Sequence, residues 1–218
     1  MKIHMLVFRR LVINLALVLL CRVSYANDAC SVIGKYVNVG VEQSEISEKI
    51  FGIEREMSEL RYVAEIENSI GNDHYEYHDY EKFIKCIDGY DSRFIKRNST
   101  YFKLSLISVL KNKMPVSEEK RIMKYVIKEL HSDDNLILGQ AVRATVPFNN
   151  DMFIPYLKDI IINNKNNRGL QKLTIDMLSY ISGSKTREAF NEIKNEISDP
   201  KLINLIDNRL NKFNDMYH

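Results

Sequence analysis

Apolar residues recur every three or four positions through most of the chain, which is the spacing of one face of an α-helix. From residue 80 onward, polar stretches interrupt this pattern at short intervals. Because each polar stretch separates two apolar segments, the pattern predicts a series of short helices. Several predicted ends carry local signals: Ser117 as a cap, Asp199-Pro200 as a start and Gly183 as a stop. The predicted helices span residues 80–89, 98–111, 117–131, 134–148, 152–162, 168–181, 186–197 and 201–213.

The segment before residue 80 follows a different pattern. Three alternating valines predict a short extended N-terminal arm over residues 31–41. A long apolar stripe then predicts one helix, or two if Gly52 divides it, with a coiled coil as the alternative. Residues 71–79 are polar and aromatic, which predicts an exposed loop. The valines are Val37, Val39 and Val41, and the stripe is Ile46, Ile50, Ile53, Met57, Leu60 and Ala64.

The later helices fall into pairs with a nearly constant period. The first helices centre on Leu106, Ala141, Ile175 and Ile206, and the second helices on Val126, Ile160 and Ile193. The steps are 35, 34 and 31 residues in the first series and 34 and 33 in the second. A period of this length indicates an all-α fold, an α-solenoid of stacked antiparallel helix pairs. An irregular helical bundle with coincidental spacing is the alternative.

The amino-acid sequence of individual repeats resembles that of the HEAT-like family. Residues 131–144 read HSDDNLILGQAVRA, with an acidic cap at Asp133 and Asp134, small and apolar residues, and Arg143. The run Ser198-Asp199-Pro200 provides a similar cap, and the resemblance covers residues 80–213. HEAT-like repeats bind other proteins far more often than they catalyse reactions, so the resemblance implies a protein-binding function.

The first 26 residues predict a secretory signal peptide. Lys2, Arg9 and Arg10 precede an apolar stretch over residues 11–20, and Ser24-Tyr25-Ala26 supplies small residues for cleavage after Ala26. A transmembrane helix needs about 20 apolar residues, so we expect no stable membrane insertion after cleavage. Lipidation at Cys21 is not favoured, because the preceding Leu20 is large. We therefore expect a periplasmic or secreted protein.

Loss of this leader reverses the net charge. The leader holds four basic residues and no acidic ones, so Lys and Arg fall from 31 to 27 against 29 Asp and Glu. The net charge changes from +2 to −2, which removes the electrostatic argument for nucleic-acid binding. We divide the chain into the signal peptide (1–26), an arm, long helix and loop (27–79), and the HEAT-like repeats (80–218).

Two cysteines remain in the mature chain. Cys30 and Cys86 predict one disulfide in an oxidising compartment, with two free thiols as the alternative. The bridge would close a loop of about 57 residues and stabilise the fold by roughly 4 kcal/mol. Neither cysteine belongs to a C-x-x-C pair, so the spacing favours neither redox catalysis nor structural zinc.

The loop at 71–79 holds two kinds of candidate site. His74 and His78 are four residues apart and would share one side of a helix, which is a spacing for zinc. The neighbouring Gly71-Asn72 favours a loop and no H-E-x-x-H motif is present, so we predict no metal ligand here. Three tyrosines are candidates for contact with a partner protein, since tyrosine is enriched at binding hot spots. They are Tyr75, Tyr77 and Tyr80, and packing against the repeats is their alternative role.

A second candidate is the polar face of the helix predicted at 117–131. It presents Arg121, Lys124, Tyr125 and Lys128, which predicts a groove for an acidic protein partner. Four more cations would extend this basic strip along later second helices, and an ordinary solvated surface is the alternative. They are Lys158, Lys185, Arg187 and Lys194.

The sequence carries no recognisable catalytic motif, whether a nucleophile elbow, a Walker loop or a dinucleotide fingerprint. We therefore expect a non-enzymatic, cofactor-free protein that binds another periplasmic or secreted protein. The most specific version of this hypothesis is an immunity protein that inhibits a toxin. The alternatives are a cell-envelope adaptor or assembly factor, and a metal-dependent hydrolase that uses His74 and His78.

Overall fold

The structure is a computed structural model that describes residues 79–89, 93–110 and 116–216. It also describes Cys30, Ser31, Ile33, Gly34, Asn68, Ile70 and Tyr75. Regular structure within these ranges is helical, and no strand occurs among them. The predicted all-α class is therefore confirmed. The chain divides into two compact units, Met1–Ser99 and Thr100–His218.

The first unit contains helix α1, Tyr80–Gly89, whose bounds match the prediction. Its buried side chains recur three and four residues apart, so α1 is amphipathic and presents one stripe to the core. The stripe consists of Tyr80, Phe83, Cys86 and Ile87. Ile33 and Ile70, which belong to the same unit, are also buried.

The predicted extended arm is wrong where the structure describes it. Cys30, Ser31, Ile33 and Gly34 are helical. Ile33 and Gly34 are adjacent and both buried, whereas neighbouring residues of a half-exposed strand point to opposite faces. The alternating valines at 37, 39 and 41 and the long stripe at 46–64 lie outside the described residues.

Helix α2, Arg93–Val109, contains the division between the units, and six further α-helices follow it in the second unit. They are α3 (Val116–Glu129), α4 (Asn135–Arg143), α5 (Ile154–Asn163), α6 (Arg168–Leu178), α7 (Ser184–Glu196) and α8 (Pro200–Met216). Two 3₁₀ turns, Val146–Phe148 and Asp151–Phe153, lie between α4 and α5. Each helix predicted from residue 80 onward is present, although several ends differ.

The differences at helix ends have local causes. Helix α4 ends at Arg143 and not at residue 148, because Pro147 lacks the N–H that an α-helix requires and falls instead in a 3₁₀ turn. Gly183, predicted as a stop for α6, is instead the N-cap of α7 with φ +130°. Ser117 lies inside the first turn of α3, which begins at Val116, and is therefore not the cap.

The helices of the second unit contact one another in a regular order. Helices α4 and α8 both contact α6, and α5 contacts α7, so alternate helices lie side by side. Helices α3, α5 and α7 each contact the helix that follows. Fully buried side chains such as Phe153, Leu157 and Phe190 fill the space between them. No described helix is long and apolar enough to cross a membrane.

Six side-chain bonds within the second unit join residues about one predicted period apart. The sequence separations run from 31 to 34 residues. These separations match the predicted period of 31 to 35 residues, and we call this set the cross-repeat bonds. It consists of Asn135 with Asn167, Asn149 with Ser182, Asp151 with Lys185, Lys158 with Glu192, Arg168 with Asp199, and Asp176 with Arg209.

Candidate partner-binding surface

The predicted basic face of α3 is exposed. Lys120, Lys124 and Lys128 lie four residues apart on it, and we call them the α3 lysine row. The buried side chains of α3, Ile122 and Val126 among them, lie on the opposite side of the helix. The amphipathic pattern that builds the core therefore also aligns the lysines on one outward face.

The acidic residues of α3 do not interrupt this row. Glu118 and Glu119 lie in the first turn, where carboxylates interact favourably with the positive end of the helix dipole. Glu118 accepts two hydrogen bonds from the Arg121 guanidinium, at 2.9 and 2.7 Å. Glu129, whose side chain is only 12% exposed, accepts from Lys128 Nζ at 3.0 Å.

Lys120 and Lys124 carry the excess charge of this surface. Neither makes an ion pair with any residue in the described ranges, and both are exposed. Tyr125 is half-buried beside the row and makes contacts of its own. The face of α3 therefore offers two uncompensated ammonium groups beside two compensated cations, a pattern suited to an acidic surface.

The basic strip does not continue along the later second helices as predicted. Lys158 Nζ lies 2.7 Å from Glu192, and Lys185 Nζ lies 3.2 Å from Asp151. Lys194 pairs with Asp207 in the same way. Because each carboxylate neutralises its lysine, these three cations add no excess positive charge. Arg187 is exposed and also makes contacts of its own.

The end of α3 is joined to α5 by an aromatic contact. The rings of His131 and Tyr156 meet edge to face, with their centroids 5.5 Å apart. The His131 Nδ1 atom also lies 2.9 Å from the Ile127 carbonyl oxygen. This contact holds the C-terminal end of the α3 lysine row against α5.

The tyrosine candidates of the first unit occupy different environments. Tyr80 is 5% exposed, because it is the first member of the apolar stripe of α1, and this burial favours the alternative role of packing within the fold. Tyr75 is partly exposed and packs edge to face on Phe83, with ring centroids 5.0 Å apart. Tyr77 lies outside the described residues.

Cys30 and Cys86 come together in the first unit. They lie at disulfide distance, with their Cα atoms 5.3 Å apart. The pair joins a segment near residue 30 to the buried face of α1, where Cys86 lies.

The metal hypothesis stays a prediction. Its candidate ligands, His74 and His78, both lie outside the described residues. Elsewhere in the described ranges, no group of three His, Cys, Asp or Glu side chains is arranged to hold a metal ion.

A cleft that the sequence did not predict lies between α6 and α8. It has a volume of about 330 Å³, and three of its seven lining residues are the cations Arg168, Lys172 and Lys201. The repeat period was the signal that could have found it, because Arg168 and Lys201 lie 33 residues apart. The other lining residues are Leu202, Asn204, Leu205 and Asn208.

Comparison of the chain with protein-family models, with curated proteins and with solved structures found no match.

Proposed function

We propose that this chain is an exported α-solenoid of HEAT-like repeats that binds an acidic surface of another protein. The arrangement is supported by the cross-repeat bonds and by the contacts between alternate helices. Such an array exposes one face of each second helix along a continuous surface, which suits recognition of an extended partner. The predicted leader would direct the protein to the periplasm or the exterior, where that partner would be met.

The observation that carries the proposal is the contrast between α3 and the later second helices. Lys158, Lys185 and Lys194 are matched by carboxylates within the fold, whereas Lys120 and Lys124 have no carboxylate partner among the described residues. Uncompensated exposed charge adds nothing to the stability of the fold but accelerates encounter with an oppositely charged partner. The partner that suits this surface is therefore an acidic protein.

The form of this function that we favour is an immunity protein, which would block a toxin by covering an acidic part of its surface. A cell-envelope adaptor or assembly factor has the same binding chemistry. The two differ in genetic context and in phenotype, because only an immunity gene needs to lie beside the gene of a secreted toxin. Co-expression of the chain with the product of such a neighbour should restore growth of a susceptible strain.

The binding surface itself can be tested by capture from a periplasmic extract. The mature chain, beginning after Ala26, is immobilised beside two variants of the α3 lysine row. The Lys120→Glu, Lys124→Glu, Lys128→Glu variant should weaken capture at least about tenfold, since like charges then face the partner. The matched Lys→Arg variant at the same three positions should retain capture, because it keeps the charge. Equal capture by all three proteins, or by none, would overturn the proposal.

A further inference from the structure

The α6–α8 cleft combines positive charge with a concave shape. Arg168 begins α6 and Lys172 lies one turn later, while Lys201 lies in the first turn of α8. The lining residues include no carboxylate, and the Asp199 carboxylate beside the cleft pairs with Arg168 alone, which leaves two positive charges in excess among the described residues. Its field is therefore positive, and a concave site concentrates such a field more than a flat surface does.

Only one of the three cations is engaged within the fold. The guanidinium of Arg168 lies 3.0 Å from a carboxylate oxygen of Asp199. That carboxylate also accepts from the backbone N–H of Lys201 at 2.8 Å, so Arg168 is fixed to the start of α8. Lys172 and Lys201 are exposed and make no ion pair with any described residue, so both ammonium groups are available to a ligand.

Two asparagines complete the polar wall of the cleft. Asn208 Nδ2 donates to Asn204 Oδ1 at 2.8 Å, which orients both side-chain amides along α8. Leu202 and Leu205 form the apolar part of the lining. A ligand that fits must therefore present acidic oxygens together with some apolar or uncharged surface.

A second cleft adjoins the first and changes the ligand that it favours. It measures about 250 Å³ and shares Arg168 and Leu202 with the α6–α8 cleft. Its lining adds one cation, Lys165, and two carboxylates, those of Glu196 and Asp199. A uniformly anionic ligand would be repelled there. A chain with an acidic group at one position and uncharged groups beside it matches both clefts.

We propose that the α6–α8 cleft binds an acidic side chain of a peptide segment, with the Lys172 and Lys201 ammonium groups paired to its carboxylate. The volume of about 330 Å³ is at the small end for ligand sites, which suits one or two side chains rather than a large cofactor. This site shares no residue with the α3 lysine row and does not depend on the function proposed for that row.

The test is a titration of the isotope-labelled mature chain, followed by backbone amide chemical shifts. The probe is a capped hexapeptide of alternating glutamate and serine, and the comparison peptide has glutamine at each glutamate. Amides at the start of α6 and α8 should shift with the glutamate peptide and not with the glutamine peptide. A rise in ionic strength from about 0.05 to about 0.5 M should weaken binding, because salt screens exposed charges.

Two charge-reversal variants locate the site. Lys172→Glu, Lys201→Glu should weaken binding of the glutamate peptide at least about tenfold. It should fold normally, because neither lysine has an ion pair to lose. The matched control, Lys85→Glu, Arg143→Glu, reverses two exposed charges that lie in neither cleft and outside the α3 lysine row, and it should leave the affinity unchanged. If the control loses binding and the cleft variant keeps it, or if neither peptide binds at millimolar concentration, the proposal is wrong.

Inorganic phosphate provides the last arm of the test. The proposal expects the peptide to shift amides in both adjoining clefts, including those at residues 196–199, while phosphate reaches only the α6–α8 cleft. Displacement of the peptide by an equal concentration of phosphate would show a generic anion site and would overturn the assignment to a peptide.

Discussion

The guanidinium of Arg209 donates two hydrogen bonds to one carboxylate oxygen of Asp176, at 3.1 and 2.7 Å. The two residues are 33 positions apart, and their side chains are only 28% and 24% exposed. This pair joins α6 to α8 across one repeat period. Because water screens it only in part, it is the cross-repeat bond from which we expect the clearest effect on stability.

We predict that Arg209→Ala lowers the free energy of unfolding by about 1 to 2 kcal/mol, since the Asp176 carboxylate would lose a charge-assisted partner. The measurement is urea denaturation of the mature chain. Arg121→Ala is the matched control, because Arg121 pairs with Glu118 at 59% and 40% exposure and should lose no more than about 0.5 kcal/mol. Equal losses in the two variants would contradict the prediction.

The cross-repeat bonds also show which ion pairs could be predicted from the sequence. Charge complementarity at the repeat period is visible in the sequence, since Asp176 and Arg209 or Lys158 and Glu192 are opposite charges 33 and 34 residues apart. Applying the period to charges as well as to apolar residues would have shown that Lys158 is neutralised. That Lys124 has no carboxylate partner among the described residues could not be predicted in this way, because it depends on which side chains lie near it in space.

The helix ends illustrate a second limit. Asp199-Pro200 predicted the start of α8 correctly, because a cap followed by proline acts through the local backbone alone. The start of α1 at Tyr80 was also predicted correctly, but the sequence left open whether the Tyr80 ring packs inside the fold or contacts a partner. Only packing against the rest of the first unit places that ring in the core.

The N-cap of helix α4 allows a test of one local set of hydrogen bonds. The Asp134 carboxylate accepts hydrogen bonds from the backbone N–H groups of Leu136 and Ile137, at 2.8 and 3.3 Å. We predict that Asp134→Ala lowers the free energy of unfolding by about 1 kcal/mol, since two N–H groups at the helix start lose their acceptor. Asp133→Ala removes an equal charge one residue earlier, outside the cap, and should have little effect. A thermal melt of both variants separates loss of the cap from loss of charge.

Two glycines should respond to alanine with opposite signs. Gly183 has φ +130°, a conformation that side chains rarely adopt, and a Cβ there would meet no atom within 4 Å. Gly183→Ala should therefore lose about 1 to 3 kcal/mol through backbone strain alone. Gly139 is inside α4, and its Cβ would make an ordinary contact with Leu173 Cδ2 at 3.7 Å. Gly139→Ala should gain up to about 1 kcal/mol.

Chemical denaturation of the two variants checks both signs at once. A loss of stability in Gly139→Ala would show that α4 and α6 pack too closely for a methyl group. An unchanged stability in Gly183→Ala would contradict the left-handed conformation at the start of α7.

The last prediction concerns the effect of the Cys30–Cys86 pair on the stability of the first unit. Cys30 and Cys86 are separated by 56 residues, and a crosslink over that length reduces the conformational entropy of the unfolded chain. On the chain-entropy model, its loss should destabilise the unit by roughly 4 kcal/mol. The Cys30→Ser, Cys86→Ser variant should therefore show much faster hydrogen exchange in α1.

The α7 amides, in the second unit, serve as the internal reference. A reductant should produce the same change in the parent chain and none in the variant, whereas two reactive thiols in the purified, unreduced chain would contradict the bridge.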